Sequence, residues 1–141
     1  MIDPISMSET LQVLRKSLDS LAVRHDAIAA NIANIDTPQY KRLEVNFQDK
    51  LRAAVDKSHD VSPLVRTHPK HFPIQAPADL MNFQPDVRVV NETTARNDGN
   101  NVDMDMEAAK LAENTALYNG VADVTSRYLA GLRHVITGGT Q

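Results

Sequence analysis

A chain of 141 residues with a formal charge of −3, no cysteine, no tryptophan and 4% aromatics is long enough for one domain. It is poorly supplied with the large side chains that fill a self-sufficient core. The missing cysteine excludes disulfides, thiolate metal centres and thiol catalysis, and the mildly acidic balance argues against a nucleic-acid binder, which needs a basic face.

The opening MIDPISMSETLQVLRK has neither the basic start nor the apolar run of a secretory signal, and no stretch approaches the roughly 18 apolar residues of a membrane span. Any route out of the cytoplasm is therefore expected to use no cleaved signal. Ser6 and Glu9 have the spacing of a capping box, so a helix is expected over 6–35. Along it, Leu11, Leu14, Leu18, Leu21, His25, Ile28, Ile32 and Ile35 recur in alternating steps of three and four. That period draws one narrow apolar stripe along a helix about 42 Å long, and such a stripe packs against another helix. His25 falls on the stripe and reads as a partly buried packing residue, not as a ligand or base.

The helix should stop at NIDTPQY, because Asn34 tolerates a helix-ending conformation and Pro38 cannot continue one. Beyond it, Leu43, Val45 and Phe47 alternate as in a strand, while Phe47, Leu51, Ala54 and Val55 repeat as in a helix. The pattern leaves both readings open. Residues 36–101 are expected to be a turn followed by an irregular middle with little core, since Pro63, Pro69, Pro73, Pro77 and Pro85 all lie there. Val87 to Val90 could form one short strand, and Asn97-Asp98-Gly99-Asn100-Asn101 signals a turn.

A second long helix is expected over 103–137, with Asp103, Asp105 and Glu107 in its first turn, where the helix dipole favours negative charge. Its apolar residues form two adjoining stripes. One holds Leu117, Val121, Val124, Tyr128 and Val135; the other holds Leu111, Tyr118, Ala122, Leu129, Leu132 and Ile136. So wide a face is expected to touch more than one neighbour. The fold class expected is mainly all-α, with two long terminal helices paired as a coiled-coil-like hairpin in a single domain and possible short β structure between them.

Catalytic chemistry is not found. His68 and His71 stand three apart, but Pro69 between them and Pro73 after them oppose the helix that would bring both imidazoles to one metal, so they read as solvated loop histidines. There is no glycine-rich phosphate loop and no G-x-S-x-G. No catalytic, cofactor-binding or metal residue is assigned, and no enzyme is expected.

The string ANIANIDTPQYKRLEVNF closely resembles the N-terminal signature of the bacterial flagellar axial family, the rod, hook and hook-associated subunits. Asn31, Asn34, Thr37, Pro38, Tyr40, Lys41 and Arg42 carry the match, and Gln39 stands where the family usually has glycine. If the turn needs a positive φ there, Gln39 is strained. The strings GNNVDMDMEAAKLAENTALYNGVADVTSRYLAGLRHVITGG and LVRTHPKHF are similar to those of the proximal rod members.

The resemblance implies a structural rod subunit in the basal body whose N- and C-terminal helices pair antiparallel. It implies helical assembly with other rod subunits beside the membrane-ring junction protein, transmission of torque, and export through the flagellar type III apparatus. The expected assembly face is Leu11, Leu14, Leu18, Leu21, Ile28 and Ile32 with Leu117, Val121, Val124, Leu129, Leu132 and Ile136, bare in a lone subunit and covered in the assembly. Phe47 and Leu51 look like the Phe-x-x-x-apolar element by which such subunits engage the export gate, although the same spacing suits a plain packing pair. The competing reading is a soluble helical adaptor or chaperone that takes one partner helix into a closed complex. A third, a small metal-dependent enzyme, would use His68 and His71.

Overall fold

A computed structural model describes residues 9–59, 80, 83–91 and 97–138. Five elements follow in order: α1 (Glu9–Ala33), β1 (Leu43–Asn46), α2 (Gln48–His59), β2 (Asp86–Val89) and α3 (Met104–Thr137). The fold is mainly helical, as expected, but it has a third helix where an irregular middle was expected. Ser6, His68 and His71 lie outside the described residues, and so do the prolines at 63, 69, 73 and 77.

The two readings of LEVNFQDKL are both right, in succession. Leu43 to Asn46 run as a strand, and the first helical bond of α2 joins the Leu51 amide to the Phe47 carbonyl at 2.8 Å. Phe47 ends the period of two and begins the helical one, so a single buried ring belongs to both patterns. β1 pairs antiparallel with β2, with Leu43 opposite Val89 and Val45 opposite Val87. Val45 is buried, while Val87 and Val89 on the same face lie at its rim, about half exposed.

The core sits where little was expected. Leu21 and Ala27 of α1 pack with Val45, Phe47, Leu51, Ala54 and Leu80, so most of the buried cluster comes from the middle of the chain. Val13 and Val121 close it from α1 and α3. The reason is geometric. One narrow stripe on α1 is too thin to make a core with α3 alone, and α2 covers the side that α3 leaves open. Arg24 adds a cation–π contact, its guanidinium 4.6 Å from the centre of the Phe47 ring.

α3 pairs antiparallel with α1: Glu107 meets Asn31 near the end of α1, and Asn114 further along α3 reaches back to Leu21. Asp103 caps α3, its Oδ1 accepting from the Asp105 and Met106 amides at 2.9 and 3.2 Å. At the other end the Gly138 amide returns to the His134 carbonyl. α3 is 34 residues long, and in its last turns Val135 and Ile136 are 77% and 81% exposed.

Phe47, 3% exposed at the junction of two elements, should be the costliest single truncation. Phe47→Ala is expected to remove about 3–5 kcal/mol in urea unfolding, against less than about 0.5 kcal/mol for Val89→Ala on the exposed strand.

Candidate functional site

Residues of the ANIANIDTPQYKR string converge on one polar joint between the end of α1, the start of β1 and the first turns of α3. Asn31 is its centre and is fully buried. Its Nδ2 donates to the Leu43 carbonyl at 2.8 Å and to Glu107 Oε2 at 2.9 Å. Its Oδ1 accepts from the Leu43 amide at 2.7 Å and from the Tyr40 hydroxyl at 3.3 Å. Two donors and two acceptor sites are the whole capacity of a carboxamide, and all four are used. Glu107, 1% exposed, has its second oxygen on Lys110 Nζ at 2.8 Å. Its charge is therefore buried but paired and hydrogen-bonded, the condition under which such burial is tolerated.

A second asparagine closes the turn from the far end of the chain. Asn100 is buried, and its Nδ2 lies 2.9 Å from the carbonyls of Asn34, Ile35 and Thr37. These belong to the end of α1 and its turn, where carbonyls have lost their helical partners. Its Oδ1 accepts from the Val102 amide. Asn101 accepts from the Arg42 amide and donates to the Val90 carbonyl, each at 2.7 Å, extending the strand pairing by one step. Lys41 Nζ donates to the Gly99 carbonyl at 2.7 Å, and the Gln39 amide to the Asp98 carbonyl at 2.9 Å.

Thr37 to Tyr40 form a tight turn closed by the Tyr40 amide on the Thr37 carbonyl at 3.3 Å. Pro38 stands second and Gln39 third, with Gln39 at φ 61°. That is the arrangement of a type II turn, whose third position needs a left-handed residue and favours glycine. The expected strain at Gln39 is present. Asn34 supports the turn by donating to the Ala30 carbonyl and accepting from the Thr37 hydroxyl.

The expected assembly residues separate into two groups. On α1, Leu21 and Ile28 are buried, and Leu11, Leu14, Leu18 and Ile32 are partly buried. This stripe is largely turned inward, contrary to the expectation of a bare edge, because α2, β1 and α3 all close on it. On α3, Val121 is partly buried, and Leu117, Val124, Leu129, Leu132 and Ile136 are exposed. His25 is exposed and not partly buried as expected, placed on a shallow groove beside Asp26, Thr115 and Tyr118. Phe47 and Leu51 are a buried packing pair. Among the described residues no group of three His, Asp or Glu side chains could hold a metal, and no helix is long and apolar enough to cross a membrane.

The sequence reading missed Glu107, Asn100, Asn101 and Asn114 as buried polar contacts. The run Gly99-Asn100-Asn101 was a usable signal, since two adjacent asparagines at a helix entrance can each satisfy backbone groups elsewhere.

Two measurements check the joint. Gln39→Gly should raise stability by about 1 kcal/mol, because glycine carries no Cβ penalty at positive φ. Tyr40 supplies a pH dependence: burial first, and then the charge of Glu107, push its phenol above the usual value. The folded state thus holds that proton more tightly than the unfolded chain. Its contribution is complete below the ordinary tyrosine value of about 10 and is lost as pH rises through the raised folded value. Tyr40→Phe should therefore flatten the alkaline limb of a stability–pH curve.

Residues 11–41, which span most of α1 and the turn, match the family model described as "Flagella basal body rod protein". The chain is 31% identical to the flagellar basal body rod protein FlgB of Bacillus subtilis over 134 residues, covering 94% of this chain and 96% of that protein. It is 30% identical to the protein of that name in Escherichia coli over 140 residues, with the same coverages. The relative of that name in Borreliella burgdorferi is 31% identical over 120 residues, 84% of this chain and 89% of that protein. The matches run through both long helices and the middle, and they describe structural rod proteins, not enzymes. The chain belongs to the FlgB family of flagellar basal body rod proteins.

Proposed function

We propose that this subunit builds the proximal rod by helical assembly with further rod subunits, and that the exposed face of α3 is its main assembly surface. The observation that carries this reading is the row Leu129, Leu132, Val135 and Ile136 on the last turns of α3, all exposed. A contiguous row of exposed apolar side chains on one helix face marks an interaction site. Joining unlike patches on successive copies gives an open helical array, not a closed ring. The polar joint at Asn31 fixes α3 on α1, so the exposed end is carried at a set angle. That rigidity suits a rod that transmits torque.

The partners in this reading are other rod subunits and the membrane-ring junction protein. Export through the flagellar type III apparatus fits Phe47 and Leu51 only if the gate reads them before folding, since both are buried in the folded subunit. The adaptor reading predicts a closed complex of fixed size in place of an extended array.

The test is Leu132→Asp combined with Ile136→Asp. Both positions are exposed, so circular dichroism and the unfolding midpoint should be unchanged. Incorporation into isolated basal bodies and swimming should be lost. Normal swimming with that variant would rule out this face as an assembly surface.

A further inference from the structure

A polar pocket lies between α1, β1 and α3, on the edge of the apolar cluster. Arg24, Glu44, Glu107, Lys110, Glu113 and Asn114 line it, over a floor that includes Ile28 and Val45. Its charges do not balance: three carboxylates face two cations. Lys110 is committed to Glu107 at 2.8 Å. Arg24 is held by the Val45 carbonyl at 3.2 Å, and Glu113 and Glu44 both act on it electrostatically. One carboxylate is thus in excess. Asn114 adds a second, independent sign of an incomplete site. It is 2% exposed, its Nδ2 donates to the Leu21 carbonyl at 3.0 Å, and its Oδ1 has no hydrogen-bond partner. A buried acceptor without a donor is unfavourable, and an incoming donor would relieve it.

The chain carries a group of the complementary kind. Arg133 is exposed on α3 and makes no side-chain hydrogen bond or ion pair among the described residues. It stands four residues after Leu129 and three before Ile136, so it flanks the exposed apolar row on the same face. Its own subunit's pocket is out of reach, because Glu113 lies twenty residues earlier on the same helix, about 30 Å away at 1.5 Å per residue.

We propose that the last turns of α3 dock on this pocket of a second copy of the chain, with the Arg133 guanidinium meeting the excess carboxylate beside Asn114. Guanidinium is the donor best matched to such a site, since its fork of N–H groups can serve a carboxylate and a neighbouring amide oxygen together. The contact joins two different patches, so each copy offers one of each and the array can continue. The inference rests on the assembly reading above and specifies which surfaces meet.

Cysteine is absent from the chain, so introduced pairs report cleanly. Basal bodies isolated from cells whose only copy carries Glu113→Cys and Arg133→Cys should give disulfide-linked dimers and higher ladders on oxidation; neither single variant should. Arg133→Glu and Glu113→Arg, both at exposed positions, should each leave the fold intact and lower incorporation about tenfold or more, and the double reversal should restore it. If the double-cysteine subunit enters the rod without cross-linking, and the single reversals assemble normally, this contact is wrong while the assembly reading stands. If the unmodified subunit is absent from isolated rods, both fail.

Discussion

One buried carboxamide ties the ends of this chain together. Asn31 offers two donors and two acceptor sites and has four partners, drawn from the turn, from β1 and from α3. No other side chain meets those demands in that space. Aspartate lacks the donors and would set a second charge against Glu107; glutamine is a carbon longer; leucine would strand the Glu107 oxygen and both backbone groups of Leu43. Because buried polar groups must be paired, α1 and α3 have one register in which Asn31 is satisfied, and slippage along the helix pair would leave it unmatched. The stripe of leucines and isoleucines on α1 is nearly uniform and would tolerate such slippage.

The remaining architecture divides the labour between two sides of α1. On one side α2 and β1 bring Phe47, Leu51 and Val45 onto Leu21 and Ala27, the apolar cluster that supplies burial. On the other, Asn31, Asn100 and Asn114 hold α3 by hydrogen bonds to side chains and carbonyls. A second electrostatic tie holds the strand pair to α2: Lys50 and Arg88 both bond Asp86 and keep its carboxyl below the usual range. α3 is thereby fixed along its first half, while Leu129, Leu132, Val135 and Ile136 in its last turns are exposed. For a rod protein that is an economical design, since the assembly surface and the folding core need not compete for the same side chains.

Much of this was legible in the sequence, and the parts that were not share a physical cause. Helix limits were readable because Pro38 and the acidic first turn at Asp103 act locally, through a fixed dihedral and the helix dipole. The strain at Gln39 was readable only through the resemblance, since Gln39 stands where the family usually has glycine; proline in second place suits type I and type II turns alike. The existence of α2 was visible but ambiguous: Phe47 satisfies both periods, and only tertiary context shows that the chain uses one after the other. The polar joint was hidden because its partners lie far apart in the chain, with Asn31 and Glu107 separated by 76 residues and Asn34 and Asn100 by 66. Glu107 read as an ordinary first-turn acid, since nothing local announces burial. The α1 stripe was correctly seen as a packing surface but assigned to neighbouring subunits, because periodicity reveals that a face is apolar and not what covers it.

The central claim is that Asn31 and Glu107 act as one unit that holds the terminal helices in register. A double-mutant cycle with Asn31→Ala and Glu107→Ala, followed by urea unfolding, measures that coupling directly. The account predicts an interaction energy of about 1–3 kcal/mol, with the double variant much less destabilised than the sum of the singles, as for residues in direct contact. Additive losses, within about 0.5 kcal/mol, would mean that the two side chains stabilise the subunit independently and that the register of α1 against α3 is set elsewhere.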